Sequence, residues 1–158
     1  MKRVLYFFIL IAFLISGCEK IGVYKEGNKE GKALDFRPGE VQCVQCTMQV
    51  GSKEHSAQAV FPNGRTYFFD DIGCMVLWLE KQKNPLDIKL WVYTDDTHRY
   101  IDARKAWYKL GDKTPMNYGF GAYEHKKEGM IDFEEMKLKM LRGENMANPK
   151  IRKKFIRE

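Results

Sequence analysis

The stretch "SAQAVFPNGRTYFFDDIGCMVLWL", residues 56–79, constrains the fold more than any other part of the chain. Ala57 to Phe61 reads as one strand, Asn63-Gly64 as a tight turn and Thr66 to Phe69 as the return strand. Asn-Gly accepts the positive φ angles that a short hairpin turn requires. Asp70 and Asp71 follow as candidate caps, since a short carboxylate can accept the free N–H groups of a first helical turn. The helix predicted from Ile72 to about Lys83 is apolar nearly all round over its first two turns. That is the pattern of a buried helix, and Asn84-Pro85 stops it. Beyond it, "IKLWVYT" alternates Ile88, Leu90 and Val92 with Lys89, Trp91 and Tyr93, a strand of period two. The unit predicted is strand, strand, helix, strand, within an α+β fold.

The N-terminus bears on the compartment. Lys2 and Arg3 precede a run from Val4 to Ile15 without a charge, and the run ends in Ile15-Ser16-Gly17-Cys18. A basic start, an h-region of this length and small residues before a cysteine resemble a bacterial lipoprotein signal, in which Cys18 carries the lipid. Acyl chains at roughly 0.8 kcal/mol per buried methylene then tether the mature chain to a membrane. Residues 1–17 read as the signal and 18–39, charged and glycine-rich around "KEGNKEGK", as a flexible tether. Removing the signal lowers the formal charge from +6 to +4. Much of the remaining excess lies in a basic tail, residues 143–158, suited to anionic headgroups. A nucleic-acid role is not expected, because the basic residues lack a groove pattern with interleaved aromatics.

Residues 40–142 are the expected folded domain, with a first unit at about 40–96 and a fainter second cycle at 97–142. In the second, Arg99 to Ala103 and Tyr118 to Glu124 are strand-like. Asp132 with Glu135 makes a capping-box pattern before a helix from Phe133 to Leu141. Met130, Met136 and Met140 fall at helical spacing, which suits core packing.

The chemistry concentrates in "CVQCTM", where Cys43, Cys46 and Met48 lie at i, i+3 and i+5. With Cys18 expected to carry lipid, Cys43, Cys46 and Cys74 remain, an odd number that cannot pair fully within the chain. Copper(I) fits this block best, because thiolate and thioether select the soft cuprous ion and one turn can gather all three sulfurs. Met116, in the proline- and glycine-flanked "KTPMNYG", is the best remote sulfur. Three alternatives stay open: dithiol–disulfide exchange by Cys43 and Cys46, a stapling disulfide, and zinc completed by His55 and Cys74. Cys74, near the start of an apolar helix, reads more readily as a small buried hydrophobe than as a ligand. His55, His98 and His125 show no metal-like spacing and are expected in solvated positions.

The lipoprotein signal, "CVQCTMQV", "YFFDDIGCMVLWL", "LWVYTDD" and "TPMNYGFGAY" together resemble the NosL family, the copper-binding accessory lipoproteins of nitrous-oxide reductase maturation. The resemblance covers roughly residues 41–123 and the signal. It implies two small ββαβ units related to the N-terminal part of organomercurial lyases, although fold relation alone transfers no lyase chemistry. It further implies a non-enzymatic copper carrier outside the cytoplasm. Such a carrier would work with a membrane ABC-type complex and pass Cu(I) to nitrous-oxide reductase or another copper client. By motif it carries metal ligation onto Cys43, Cys46, Met48 and Met116.

Overall fold

The computed structural model describes residues 22–155, so the signal segment and Cys18 lie outside the described residues. A five-stranded antiparallel sheet has the order β1-β3-β2-β4-β5, and a separate hairpin pairs β6 with β7. In chain order the elements are β1 (Tyr24–Lys25), β2 (Ala57–Val60), β3 (Thr66–Phe69), α1 (Ile72–Leu79), β4 (Lys89–Tyr93), β5 (Tyr100–Asp102), β6 (Trp107–Leu110), β7 (Phe120–Tyr123), α2 (Phe133–Leu141) and α3 (Pro149–Phe155). The α+β class and the first strand-strand-helix-strand unit are as the sequence predicts.

Register decides which side chains share a face. Ala57 stands opposite Phe69 and Val92, and Ala59 opposite Tyr67 and Leu90. This face meets α1, whose Trp78 ring lies 5.3 Å from both Phe69 and Tyr67. The small alanines let the helix approach, and seven of its eight residues are buried. On the other face, Gln58 stands opposite Phe68 and Trp91. The helix ends at Leu79, earlier than Lys83, with the turn bonds Lys81 N to Trp78 O and Gln82 N to Leu79 O closing it. The polar run before Pro85 offers no apolar face to prolong the packing.

Residues 28–36 cover the Gln58 face, which corrects the expectation of a flexible tether over this part of 18–39. Gln58 is fully buried and exchanges hydrogen bonds with the backbone of Leu34, both at 2.8 Å. Phe36 sets its ring edge-on to Phe68 at 5.5 Å, and Trp91 Nε1 donates to Gly31 O at 3.1 Å. These isolated anchors have no periodicity, so composition alone hid them.

The second cycle also differs from expectation. The strand at 100–102 pairs with β4 and completes the first sheet. The hairpin partner of β7 is β6, which the sequence reading missed. α2 occupies Phe133–Leu141 as predicted, capped by Asp132, whose Oδ1 accepts from Glu135 N at 2.9 Å. Met130, Met136 and Met140 are buried. A short helix, α3, occupies Pro149–Phe155 within the basic tail, none of its residues buried. Among the described residues no helix is long and apolar enough to cross a membrane.

Candidate metal centre

The turn carrying the CxxC motif is fixed by its backbone. Cys43 N donates to Met48 O at 2.8 Å and Thr47 N to Cys43 O at 2.9 Å, with Thr47 at a φ of 65° reversing the chain. Cys43 pairs with Phe68 in an isolated parallel bridge, and Val44 N donates to Phe68 O at 3.1 Å. The turn therefore sits on the edge of β3 beyond the two residues paired with β1.

That placement brings the motif to the end of β3, where Asp70 and then α1 begin. One ligand atom each from Cys43, Cys46, Asp70 and Cys74 lies within 4.8 Å of the others. Cys43, Asp70 and Cys74 are buried, and Cys46 is half-buried at the mouth of the cluster. All three cysteines are free thiols. Cys46 Sγ donates to Asp70 Oδ1 at 3.2 Å, while Asp70 Oδ2 is buried without a hydrogen-bond partner. A buried carboxylate oxygen with an open lone pair beside three sulfurs is a group able to hold a metal ion.

The thiols are electrostatically unequal. A hydrogen bond from the Cys74 thiol draws the Cys43 pKa down to about 7 against the opposing effect of burial. Burial, with the neighbouring Asp70 and Cys43, pushes Cys46 up to about 12. Cys74 is driven upward chiefly by its hydrogen bond to Cys43, and burial adds to this. Cys43 is thus the easiest of the three thiols to deprotonate.

The expected methionines lie on two separate segments, Met48 beside Asp70 and Met116 beside Asp71. Met48 is 49% exposed and lines a shallow hollow with Asp70 and Pro115. Met116 is partly buried against the core, and its backbone N donates to Asp71 Oδ2 at 3.0 Å. Thr114 Oγ1 donates to that oxygen at 2.6 Å. A Cβ on Gly73 would come within 2.4 Å of the Tyr118 ring, so the loop carrying Met116 lies tight against the start of α1. Asp70 and Cys74 are the members of the cluster that the motif reading left out. Cys74 is buried as expected, yet its sulfur belongs to the group. The Asp-Asp before the helix was the available signal for Asp70, since one helix start needs only one cap. Of the histidines, His98 and His125 are exposed as expected. His55 is not: it is partly buried beside Asp95 and Asp112. No family model matches the chain, and no curated protein matches it.

Proposed function

We propose that this chain is a membrane-tethered, extracytoplasmic carrier of copper(I) that works by ligand exchange and catalyses no reaction. The observation that carries the reading is the meeting of Cys43, Cys46, Cys74 and Asp70 in one group of ligand atoms. Thiolates favour a soft cuprous ion over harder cations. Copper is the cargo. The buried Cys43 and Cys74 hold it, the half-buried Cys46 is the exchangeable sulfur, which gives up its proton as the metal binds, and the half-exposed Met48 thioether is the first sulfur an incoming ion meets. Met116 supplies a further thioether from its loop. The NosL resemblance supports the same reading, including tethering through Cys18 and delivery to nitrous-oxide reductase or another copper client beside an ABC-type membrane complex. The β2-β3-α1-β4 order supports the first ββαβ unit that the resemblance implies, and we read β6-β7-α2 as an abbreviated second.

One observation favours a second metal. Asp70 gives the group an oxygen, and three cysteines with a carboxylate are also a competent tetrahedral zinc set. Dithiol exchange finds less support, because the low-pKa thiol Cys43 is 1% exposed and an attacking thiolate must be reached.

The test is an anaerobic titration of the reduced protein with Cu(I) against a competing chelator, with Zn(II) in parallel. One Cu(I) per chain is expected, with most of the affinity lost in Cys43→Ser/Cys46→Ser. Wild-type affinity in that double variant overturns the assignment. Zinc capture without copper capture replaces the carrier reading with a zinc site. Closure of a Cys43–Cys46 disulfide is expected to abolish binding until reductant restores the thiols.

A further inference from the structure

We propose that His55, Asp95 and Asp112 form a second metal site, for a divalent cation of the zinc or manganese class, at the seam between the sheet and the β6–β7 hairpin. One ligand atom from each residue lies within 4.8 Å of the others. They come from three separate parts of the fold: His55 just before β2, Asp95 just after β4, and Asp112 just after β6.

Three observations point to a ligand here. His55 Nδ1 is shut off from solvent and has no hydrogen-bond partner. Asp95 Oδ1 lies 3.7 Å from it, beyond hydrogen-bonding reach. That separation is close to the ~3.4 Å between two ligands on one tetrahedral ion with bonds of roughly 2.1 Å. Next, the space where the carboxylates converge is kept open by Gly121 on β7. A Cβ there would fall 1.8 Å from Asp112 Oδ2 and 2.6 Å from Asp95 Oδ2. Finally, among the described residues neither carboxylate forms an ion pair with a lysine or arginine. Tyr123 donates its hydroxyl to Asp112 Oδ2 at 2.9 Å, the kind of outer partner that orients a ligating carboxylate.

The donor set separates this site from the sulfur cluster. Imidazole and carboxylate suit zinc, manganese and iron(II), and offer a cuprous ion none of the soft sulfur it prefers. With three protein ligands the ion keeps a position for water. Because its ligands come from sheet and hairpin alike, the ion would also lock the two together.

Cobalt(II) separates the two sites by their spectra. Thiolate ligation gives intense near-ultraviolet charge transfer, whereas a nitrogen–oxygen site gives only weak visible bands. Titration of the reduced full chain with Co(II) should reveal one site without charge transfer, displaced by Zn(II) and retained in Cys43→Ser/Cys46→Ser. Asp112→Asn and His55→Asn should each weaken it at least tenfold. Asparagine suits position 55 because it tolerates the φ of 59° there. Absence of the nitrogen–oxygen signal in the wild-type chain overturns the site, whatever the variants do. So does a signal whose affinity neither variant changes while circular dichroism shows both folded.

Discussion

Adjacent aspartates of one type have been given opposite roles by their surroundings. Asp71 is satisfied on every side: Oδ1 accepts from Gly73 N at 2.8 Å, and Oδ2 from Thr114 Oγ1 and Met116 N. It caps α1 and fastens the Met116 loop to the helix start. Asp70 has one bond, from Cys46 Sγ, and one bare oxygen. From the sequence both were candidate caps, because which carboxylate faces the helix N–H groups depends on how β3 ends. Asp71→Ala removes a cap and strands the buried Thr114 hydroxyl and the partly buried Met116 amide. A charged hydrogen bond contributes ~1.5–3 kcal/mol and a cap about 1 kcal/mol, so a loss of roughly 2–4 kcal/mol is expected from urea unfolding. Asp70→Asn should change stability by less than about 1 kcal/mol yet weaken metal capture in the chelator competition. Equal stability losses in the two variants would refute this division of roles.

At the scale of elements, what was legible in the sequence were the pieces whose packing has a period. The hairpin, α1, β4 and α2 each show a repeating apolar face or a turn with fixed chemistry. The segment over residues 22–41 shows neither, because it is held by single side chains at irregular intervals. Asn28 Nδ2 donates to Thr66 Oγ1 at 2.9 Å and to Lys32 O at 2.7 Å, and its Oδ1 accepts from Gly31 N at 3.1 Å. Gly64, at a φ of 84°, lets the hairpin turn approach Asn28, whose backbone would lie 3.2 Å from any Cβ there. Phe36 is 3% exposed, so Phe36→Ala should lower unfolding stability by ~3–5 kcal/mol, the usual effect of emptying a buried aromatic site. Hydrogen exchange offers an independent check. The amides of Gly31 and Leu34 should be protected well above a free tether, and rapid exchange at both would show the segment to be detached.

Across the whole molecule, the sites depend on contacts that no local pattern encodes. Cys74 and Asp70 join the CxxC motif only because its turn docks on β3. His55 meets Asp95 through the pairing of β2 with β4, and Asp112 joins them only because the hairpin folds onto the end of the sheet. "RYIDA" alternates in the same way whichever strand it pairs with, so its place beside β4 could not be read locally. Asp96 is the clasp that fixes the hairpin there. Its Oδ1 accepts from Glu124 N at 2.9 Å and its Oδ2 from His125 N at 3.0 Å, with the His125 ring also at 3.0 Å. Burial works against its charge, but the backbone donors of Glu124 and His125 outweigh it and hold the pKa down at about 2. A carboxyl whose folded pKa lies below its unfolded value near 3.9 stabilises the fold fully above about pH 4 and loses that contribution as pH falls toward 2. Allowing for solvent screening at this partly exposed seam, the contribution is about 1–2 kcal/mol. Urea unfolding of the wild-type chain and of Asp96→Asn should therefore differ by that amount at pH 6 and converge near pH 2. A gap that persists unchanged at pH 2 would mean that the clasp does not act through its charge.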